Sequence, residues 1–512
     1  MSSDAHLSHD YSALKEALEG ELQVDNLYRA LYATDASIYR HRPQGVIFPK
    51  GEKDLVTIVR YAQQHKLSII PRAAGTSLAG QCVGEGLIVD VSKYMTKIIE
   101  LNVAEKWVRV QPGVIRDELN AFLAPHELHF GPNTSTANRC MIGGMVGNNS
   151  CGSSSIVYGS TRDHTKVLRT VLSDGSVHTF SQMSTNQLSQ TVHSKDNTAK
   201  IYKQMLELLA DTKNQKLIHD NFPKPSIKRR NTGYAIDLLA NSLSKGEHFN
   251  MCDLLCGSEG TLALTSEITL HLSDLPPTYY NVVCAHFTTV EDSMKATQVA
   301  MQHQPHACEL MDKIILDCTA GNSLYNRYRW WVEGDPKTVL MIEIRAKSRA
   351  ALKAKNKSLI DDLNSTTSTY AIPIIPQEKC KEVWQLRKAG LGLLANLPGE
   401  ARAVACIEDT AVALEDLPAY IKDFEANMVE YGQQPIYYAH AGDGEIHLRP
   451  VLDLKQTEDR TKLYDISKST AELVKKYRGS LSGEHGDGRV RAPFIKTRGG
   501  GNTQRCKYGI QI

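Results

Sequence analysis

Gly131-Pro132-Asn133-Thr134-Ser-Thr-Ala-Asn138, then Ile142-Gly143-Gly144-Met-Val-Gly147-Asn148-Asn149-Ser-Cys-Gly152, closed by Tyr158-Gly159-Ser-Thr-Arg162-Asp163, is the stretch on which the reading of this chain turns. A run so poor in bulk cannot pack a core of its own. It suits a backbone laid flat against a large planar ligand, because glycine lets the chain approach a surface closely. A flexible linker is also glycine-rich, but it would not be interleaved with Ile142, Met145, Val146 and Val157.

Upstream, Glu52 to Lys66 places Leu55, Val56, Ile58, Val59 and Ala62 on one helical face, and Leu67-Ser-Ile-Ile70 follows as a short strand. That strand runs into Pro71-Arg72-Ala73-Ala74-Gly75-Thr76-Ser77-Leu-Ala-Gly80, whose small residues expose successive backbone N–H groups, as a pyrophosphate cradle requires. The loop is not G-x-G-x-x-G, and no Walker loop is present. Residues 11–33 carry helical periodicity, so residues 1–38 are expected to form an N-terminal helical lead-in. Val167 to Phe180 predicts a hairpin turning at Asp174-Gly175, and Gly257-Ser-Glu259-Gly260-Thr-Leu predicts a tight turn feeding a strand through Ile268.

Leu275-Pro276-Pro277 is a rigid break that divides a domain at 39–275 from one at 276–495. Beyond it, strand-like and helical runs alternate, which predicts an α+β sheet with helices on one face. Residues 496–512 look like a truncation or a shifted frame, and a tail without a fold of its own is expected there.

Two stretches of the second half carry chemistry. Tyr438-Ala-His440-Ala-Gly-Asp443-Gly444-Glu-Ile-His447 predicts a hairpin with a two-residue turn at Asp443-Gly444, which would set His440 opposite His447 on one sheet face. Two such imidazoles can share a metal ion, though paired histidines on a hairpin are more often hydrogen-bonded or exposed. Ser482-Gly-Glu484-His485-Gly-Asp-Gly488 could add a carboxylate ligand at Glu484 and leave His485 as a base.

A length of 512 residues with 41% hydrophobic and 23% charged residues indicates a globular protein of two or three domains. A net charge of +2 gives no reason to expect nucleic acid as a partner, and Lys228-Arg229-Arg230 reads as a solvated loop face or a phosphate contact. No secretory signal and no transmembrane run is visible, so a cytoplasmic protein, at most peripheral to a membrane, is expected. The eleven cysteines fit that compartment as free thiols, Cys252 and Cys256 included.

Taken together, the 71–80 loop, the 131–163 segment, Gly257–Leu262, the 440–447 hairpin and Gly483-Glu484-His485-Gly486 resemble the two-domain FAD-linked oxidoreductases of the vanillyl-alcohol oxidase type. The resemblance lies in the branch acting on D-2-hydroxy acids: D-lactate dehydrogenases, the glycolate oxidase flavin subunit and D-2-hydroxyglutarate dehydrogenase. It spans residues 30 to 495 and is similar in detail to flavin halves fused to an iron–sulfur half. It implies a PCMH-type FAD-binding domain and a ferredoxin-like α+β substrate domain. Arg72, Ala73, Ala74, Gly75, Thr76 and Ser77 would hold the FAD pyrophosphate. Pro132, Thr134, Gly143, Gly144, Asn148, Gly152 and Gly159 would line the ribityl chain and isoalloxazine, and Glu259, Gly260 and Ile268 the adenine side. With no histidine in the loop, the FAD would be noncovalent.

The same resemblance makes His440, His447 and Glu484 ligands of a divalent metal, zinc or manganese, and His485 the base that takes the hydroxyl proton as hydride passes from C2 to flavin N5. On its own residues Arg387 reads as a surface position on an amphipathic helix; the resemblance makes it the arginine on the substrate carboxylate. Arg449 is either a framework salt bridge or the contact for a second carboxylate. The electron acceptor would be a quinone, a cytochrome, an electron-transfer flavoprotein or an iron–sulfur module. Other readings are a metal-dependent hydrolase using the same hairpin and an inactive flavin-binding fragment.

Overall fold

A computed structural model describes residues 9–195, 197–246, 248–394 and 399–495. The tail expected at 496–512 lies outside the described residues.

The first half begins with a four-stranded sheet in the order Glu21–Gln23, Gly45–Phe48, Leu87–Asp90, Ile69–Arg72. The last three strands run parallel, and the helix Glu52–His65 lies between the second and fourth in sequence, burying Leu55, Ile58, Val59 and Ala62. The expected helical lead-in is corrected: its centre, Glu21–Gln23, is a strand that pairs with the sheet, Leu22 opposite Ile47. Two six-residue helices, Ser12–Ala17 and Asn26–Leu31, flank it and produce the helical period. A six-stranded antiparallel sheet follows, with Leu264–His271 between Thr165–Val171 and Trp107–Val110 and its residues alternately buried.

The glycine-rich segment is not extended throughout. Ile142–Asn148 is a helix that buries Ile142, Met145 and Val146, and it stops where Asn149 turns left-handed at φ 50°. The apolar spacing i, i+3, i+4 that argued against a linker is the helix itself.

The second half is a seven-stranded antiparallel sheet in the order Ile374–Ile375, Tyr279–Phe287, Thr338–Ala346, Ala307–Asp312, Ile436–His440, Glu445–Arg449, Thr410–Ala411. Helices cover both of its faces, not one. Val283, Leu340 and Ile342 pack in one cluster with the helices Val290–Gln302 and Leu417–Glu430. Val282, Val339 and Met341 on the opposite face pack with Val383 and Leu386 of the helix Cys380–Leu393. Central strands covered on both faces lose the polar alternation that a one-faced sheet would show. No helix among the described residues is long and apolar enough to cross a membrane. The ten described cysteines, Cys252 and Cys256 among them, are free thiols.

Candidate active site

The hairpin forms, with a different turn. Ala441–Asp443 is a single 3-10 turn closed by Gly444 at φ 70°, and the register sets His440 opposite Glu445 and Tyr438 opposite His447. The physical cause is Asp443, whose carboxylate is drawn off to Arg229 Nε at 3.0 Å and to the Ser155 hydroxyl. A register moved by two residues leaves every side chain on its predicted face. His440 and His447 therefore still meet, ring centroids 5.2 Å apart, now as diagonal neighbours.

The loop Ser482–Gly488 brings Glu484 up to this face. Its Oε1 lies 3.4 Å from His440 Nε2, 3.7 Å from His447 Nε2 and 3.2 Å from His485 Nε2. Ligand atoms about 2.0–2.2 Å from a tetrahedral zinc stand roughly 3.3–3.6 Å apart, so each imidazole is close to a ligand's distance from Glu484 Oε1, though the group whose ligand atoms all lie within 4.8 Å of one another leaves out His440. His440 Nδ1 is fixed by Glu309 at 2.9 Å, the carboxylate support that metal-binding imidazoles commonly carry. Asp409, His447, Glu484 and His485 also have ligand atoms within 4.8 Å of one another. The Asp409 carboxylate, however, already accepts from Ser482 Oγ and from the backbone N–H groups of Glu484 and His485 at 2.6–2.8 Å.

Charge is the dominant fact of the site. Burial opposes the charge of Glu484, yet Arg229 and His440 hold its carboxyl well below the usual range. Burial pushes His447 down to about 3. Burial acts the same way on His485, but Asp409, Glu408 and Glu484 overcome it and push the imidazole up to about 10. Burial, with Glu484 and Asp409 adding to it against Arg229, pushes Glu445 well above the carboxylate range. Such an excess of acidic groups is what a bound cation would neutralise.

Arg387 is not on the surface: it is 7% exposed, paired with Glu309, hydrogen-bonded to the Tyr438 hydroxyl and the Ala439 carbonyl, and stacked 4.0 Å over the Tyr438 ring. Its Nε is enclosed and has no partner. Arg449 pairs with Glu408. Arg229, read as part of a solvated basic run, is 3% exposed and binds Asp443, Glu445 and Glu484 together. Glu309, Glu408 and Asp409 were missed as well. The only signal for the last two is a pair of acids set between the apolar residues Val404–Ile407 and Ala411–Ala413.

One cavity of about 1250 Å³ runs from this cluster along the first half of the chain. It is lined by Arg72 to Ser77, Thr134, Gly143, Gly144, Asn148, Gly152, Glu259 and Gly260, and at the cluster end by Arg387, His440, His447, Arg449, Glu484 and His485. Three predicted cofactor residues do not line it. Ile268 is fully buried between Val110 and Leu168, and Pro132 and Gly159 lie off the wall. A Cβ at Gly144 or Gly147 would meet nothing nearer than 3.4 Å, so both positions leave room for a ligand to lie against the backbone. Gly152 is needed for the chain itself: φ is +138° and a Cβ would fall 1.9 Å from the Asn133 carbonyl oxygen.

Side chains from the first half also clasp the loop Ser482–Gly488. Asn148 and Asn231 donate to the Glu484 carbonyl at 2.6 and 2.9 Å, and Gln81 donates to the His485 carbonyl at 2.7 Å.

Comparison with known proteins gives two family matches: FAD binding domain over residues 43–181, and FAD linked oxidases, C-terminal domain, over residues 276–504. D-2-hydroxyglutarate dehydrogenase of Pseudomonas putida is 33% identical over 503 residues, covering 95% of this chain and 49% of that protein. The chain thus spans about half the length of that relative. The mitochondrial cytochrome D-lactate dehydrogenase of Arabidopsis thaliana is 25% identical, covering 95% of this chain and 74% of that protein. Among solved structures, 4-ethylphenol oxidase from Gulosibacter chungangensis superposes with a TM-score of 0.62 at 12% identity, covering 92% of this chain and 88% of that one. The last comparison shows fold: a PCMH-type FAD-binding domain joined to the oxidase C-terminal domain, as the sequence predicts.

Proposed function

The chain belongs to the FAD-linked oxidases, and on that premise we propose that it oxidises a D-2-hydroxy acid, D-2-hydroxyglutarate or D-lactate, to the 2-oxo acid. One observation carries the reading: three imidazoles gather on the Glu484 carboxylate at the end of a cavity whose other wall is the glycine-rich segment. FAD, held noncovalently by Arg72 to Ser77 and the glycine-rich wall, supplies the two-electron acceptor when bound. His440, His447 and Glu484 would hold a divalent cation, which would supply Lewis acidity toward the substrate hydroxyl.

The remaining work falls to side chains of this protein. Arg387, which lines the cluster end of the cavity, would meet the substrate carboxylate and orient C2. His485, whose Nε2 lies 3.2 Å from Glu484 Oε1 at the cavity's cluster end, would accept the hydroxyl proton in its neutral form. Arg449, whose guanidinium is engaged by Glu408, serves as framework.

The test is anaerobic addition of D-2-hydroxyglutarate and D-lactate to protein saturated with FAD and with zinc or manganese. Bleaching of the flavin absorbance by one of them is expected. An unchanged spectrum with both, and with other D-2-hydroxy acids, would overturn the proposal.

A further inference from the structure

We propose that Arg229 is the positioning residue of Glu484: it holds one carboxylate oxygen, Oε2, and so leaves the other, Oε1, as the single ligand atom that Glu484 can turn to a cation. The role rests on the cation reading above, whereas the geometry of the carboxylate does not.

The two oxygens of Glu484 have different company. Oε1 is the atom that His440, His447 and His485 approach, at 3.4, 3.7 and 3.2 Å. Oε2 accepts from Arg229 Nη1 at 2.9 Å and from the Cys151 thiol at 3.5 Å. A guanidinium is planar and always charged, so it fixes a carboxylate in direction as well as in charge.

Arg229 has no freedom to give this contact up. Its Nε donates to Asp443 and Ser155 at 3.0 and 3.1 Å, Nη1 also reaches Glu445, and Nη2 donates to the Gly152 carbonyl and the Ser155 hydroxyl. All its nitrogens are thus engaged, on a side chain 2% exposed. The backbone brings it there. The Asn231 N–H donates to the Ser482 carbonyl at 2.8 Å and the Ser482 N–H to the Thr232 hydroxyl at 2.9 Å, so the segment that carries Arg229 runs beside the loop that carries Glu484. The main chain of Glu484 is held separately, its N–H by Asp409 and its carbonyl by Asn148 and Asn231. With main chain and Oε2 both fixed, Oε1 is what remains to offer.

The number of oxygens offered bears on the choice of cation. A carboxylate that binds through both fills two positions, as it does in calcium sites, which are rich in oxygen ligands. One that binds through a single oxygen suits a tetrahedral cation with a position left for substrate. Arg229 thereby favours zinc over calcium and keeps a place for the substrate hydroxyl.

Two measurements test the assignment. In a crystal structure of the parent saturated with FAD and zinc, the zinc should stand about 2.0–2.2 Å from Glu484 Oε1 alone, with Oε2 still on Arg229. Zinc on both oxygens, zinc on Oε2, or a carboxylate released from Arg229 would overturn the proposal. No zinc on Glu484 would overturn the cation reading as well, and is thereby told apart from failure of the proposal alone. In Arg229→Lys, which keeps the charge but not the planar fork, zinc affinity should fall about tenfold or more and the preference for zinc over calcium should narrow, while FAD affinity stays within about threefold of the parent's. Zinc affinity within about threefold of the parent's, or a loss of FAD as large as the loss of zinc, would overturn the role. The crystal structure decides the matter even where the variant does not fold.

Discussion

His440 and His485 both touch the Glu484 carboxylate, but their opposite ring nitrogens meet different acids, Glu309 for the first and Glu408 for the second. The two arrangements are alike, so it is substitution that separates the proposed roles. His440→Ala removes a donor whose orientation Glu309 has fixed, so zinc content at limiting metal is expected to fall while FAD content stays near the parent's. His485→Ala should retain both zinc and FAD and lose flavin reduction by about a hundredfold or more. Equal zinc content in His440→Ala and the parent would remove His440 from the ligand set. All four residues of the cluster were legible because each sits in a short Gly/Asp/Glu/His motif. Their supports were not. Glu309, Glu408 and Asp409 lie more than seventy positions from a residue they hold, and nothing in their flanking sequence says what they face.

At the scale of elements, the hairpin, the 482–488 loop and the segment around Arg229 are joined by one guanidinium. Arg229 contacts Asp443, Glu445 and Glu484 while almost wholly buried. Arg229→Met would leave these acids without their common counter-charge, and a loss of roughly 3–5 kcal/mol in stability is expected, as for other buried pairs broken on one side. A lowered thermal midpoint would be the sign, and a midpoint within a degree of the parent would contradict it. The hairpin also shows why a turn can be misread while the face that two side chains share is not. Asp443-Gly444 was predicted from local turn preference, but a buried partner 214 residues upstream in the first half captured Asp443. The even register shift left the His440–His447 face intact.

For the whole molecule, the layering of the second half was not legible in the sequence, because its long apolar runs do not reveal whether helices cover one face or two. At its centre Asp312 caps the helix Lys313–Ala320 through the Ile315 N–H and also accepts from the Tyr437 N–H, joining helix to sheet. Burial pushes its carboxyl up to about 6. A raised carboxyl binds its proton more tightly in the folded state, so its favourable contribution is present below about pH 4 and is lost as the pH rises through about 6. The magnitude is of the order of 2–3 kcal/mol. Asp312→Asn should therefore flatten the pH dependence of unfolding free energy between those limits. A denaturation series showing the same slope for variant and parent would count against it.

The clasp of Asn148, Asn231 and Gln81 on the carbonyls of Glu484 and His485 has a thermodynamic corollary. Asn148 and Glu484 line one cavity, so a ligand that orders one end would lower the entropic cost of ordering the other. Linkage of this kind is reciprocal. FAD should tighten zinc binding by some factor, and zinc should tighten FAD binding by that same factor, a closed cycle that two titrations, each run with and without the other ligand, can measure.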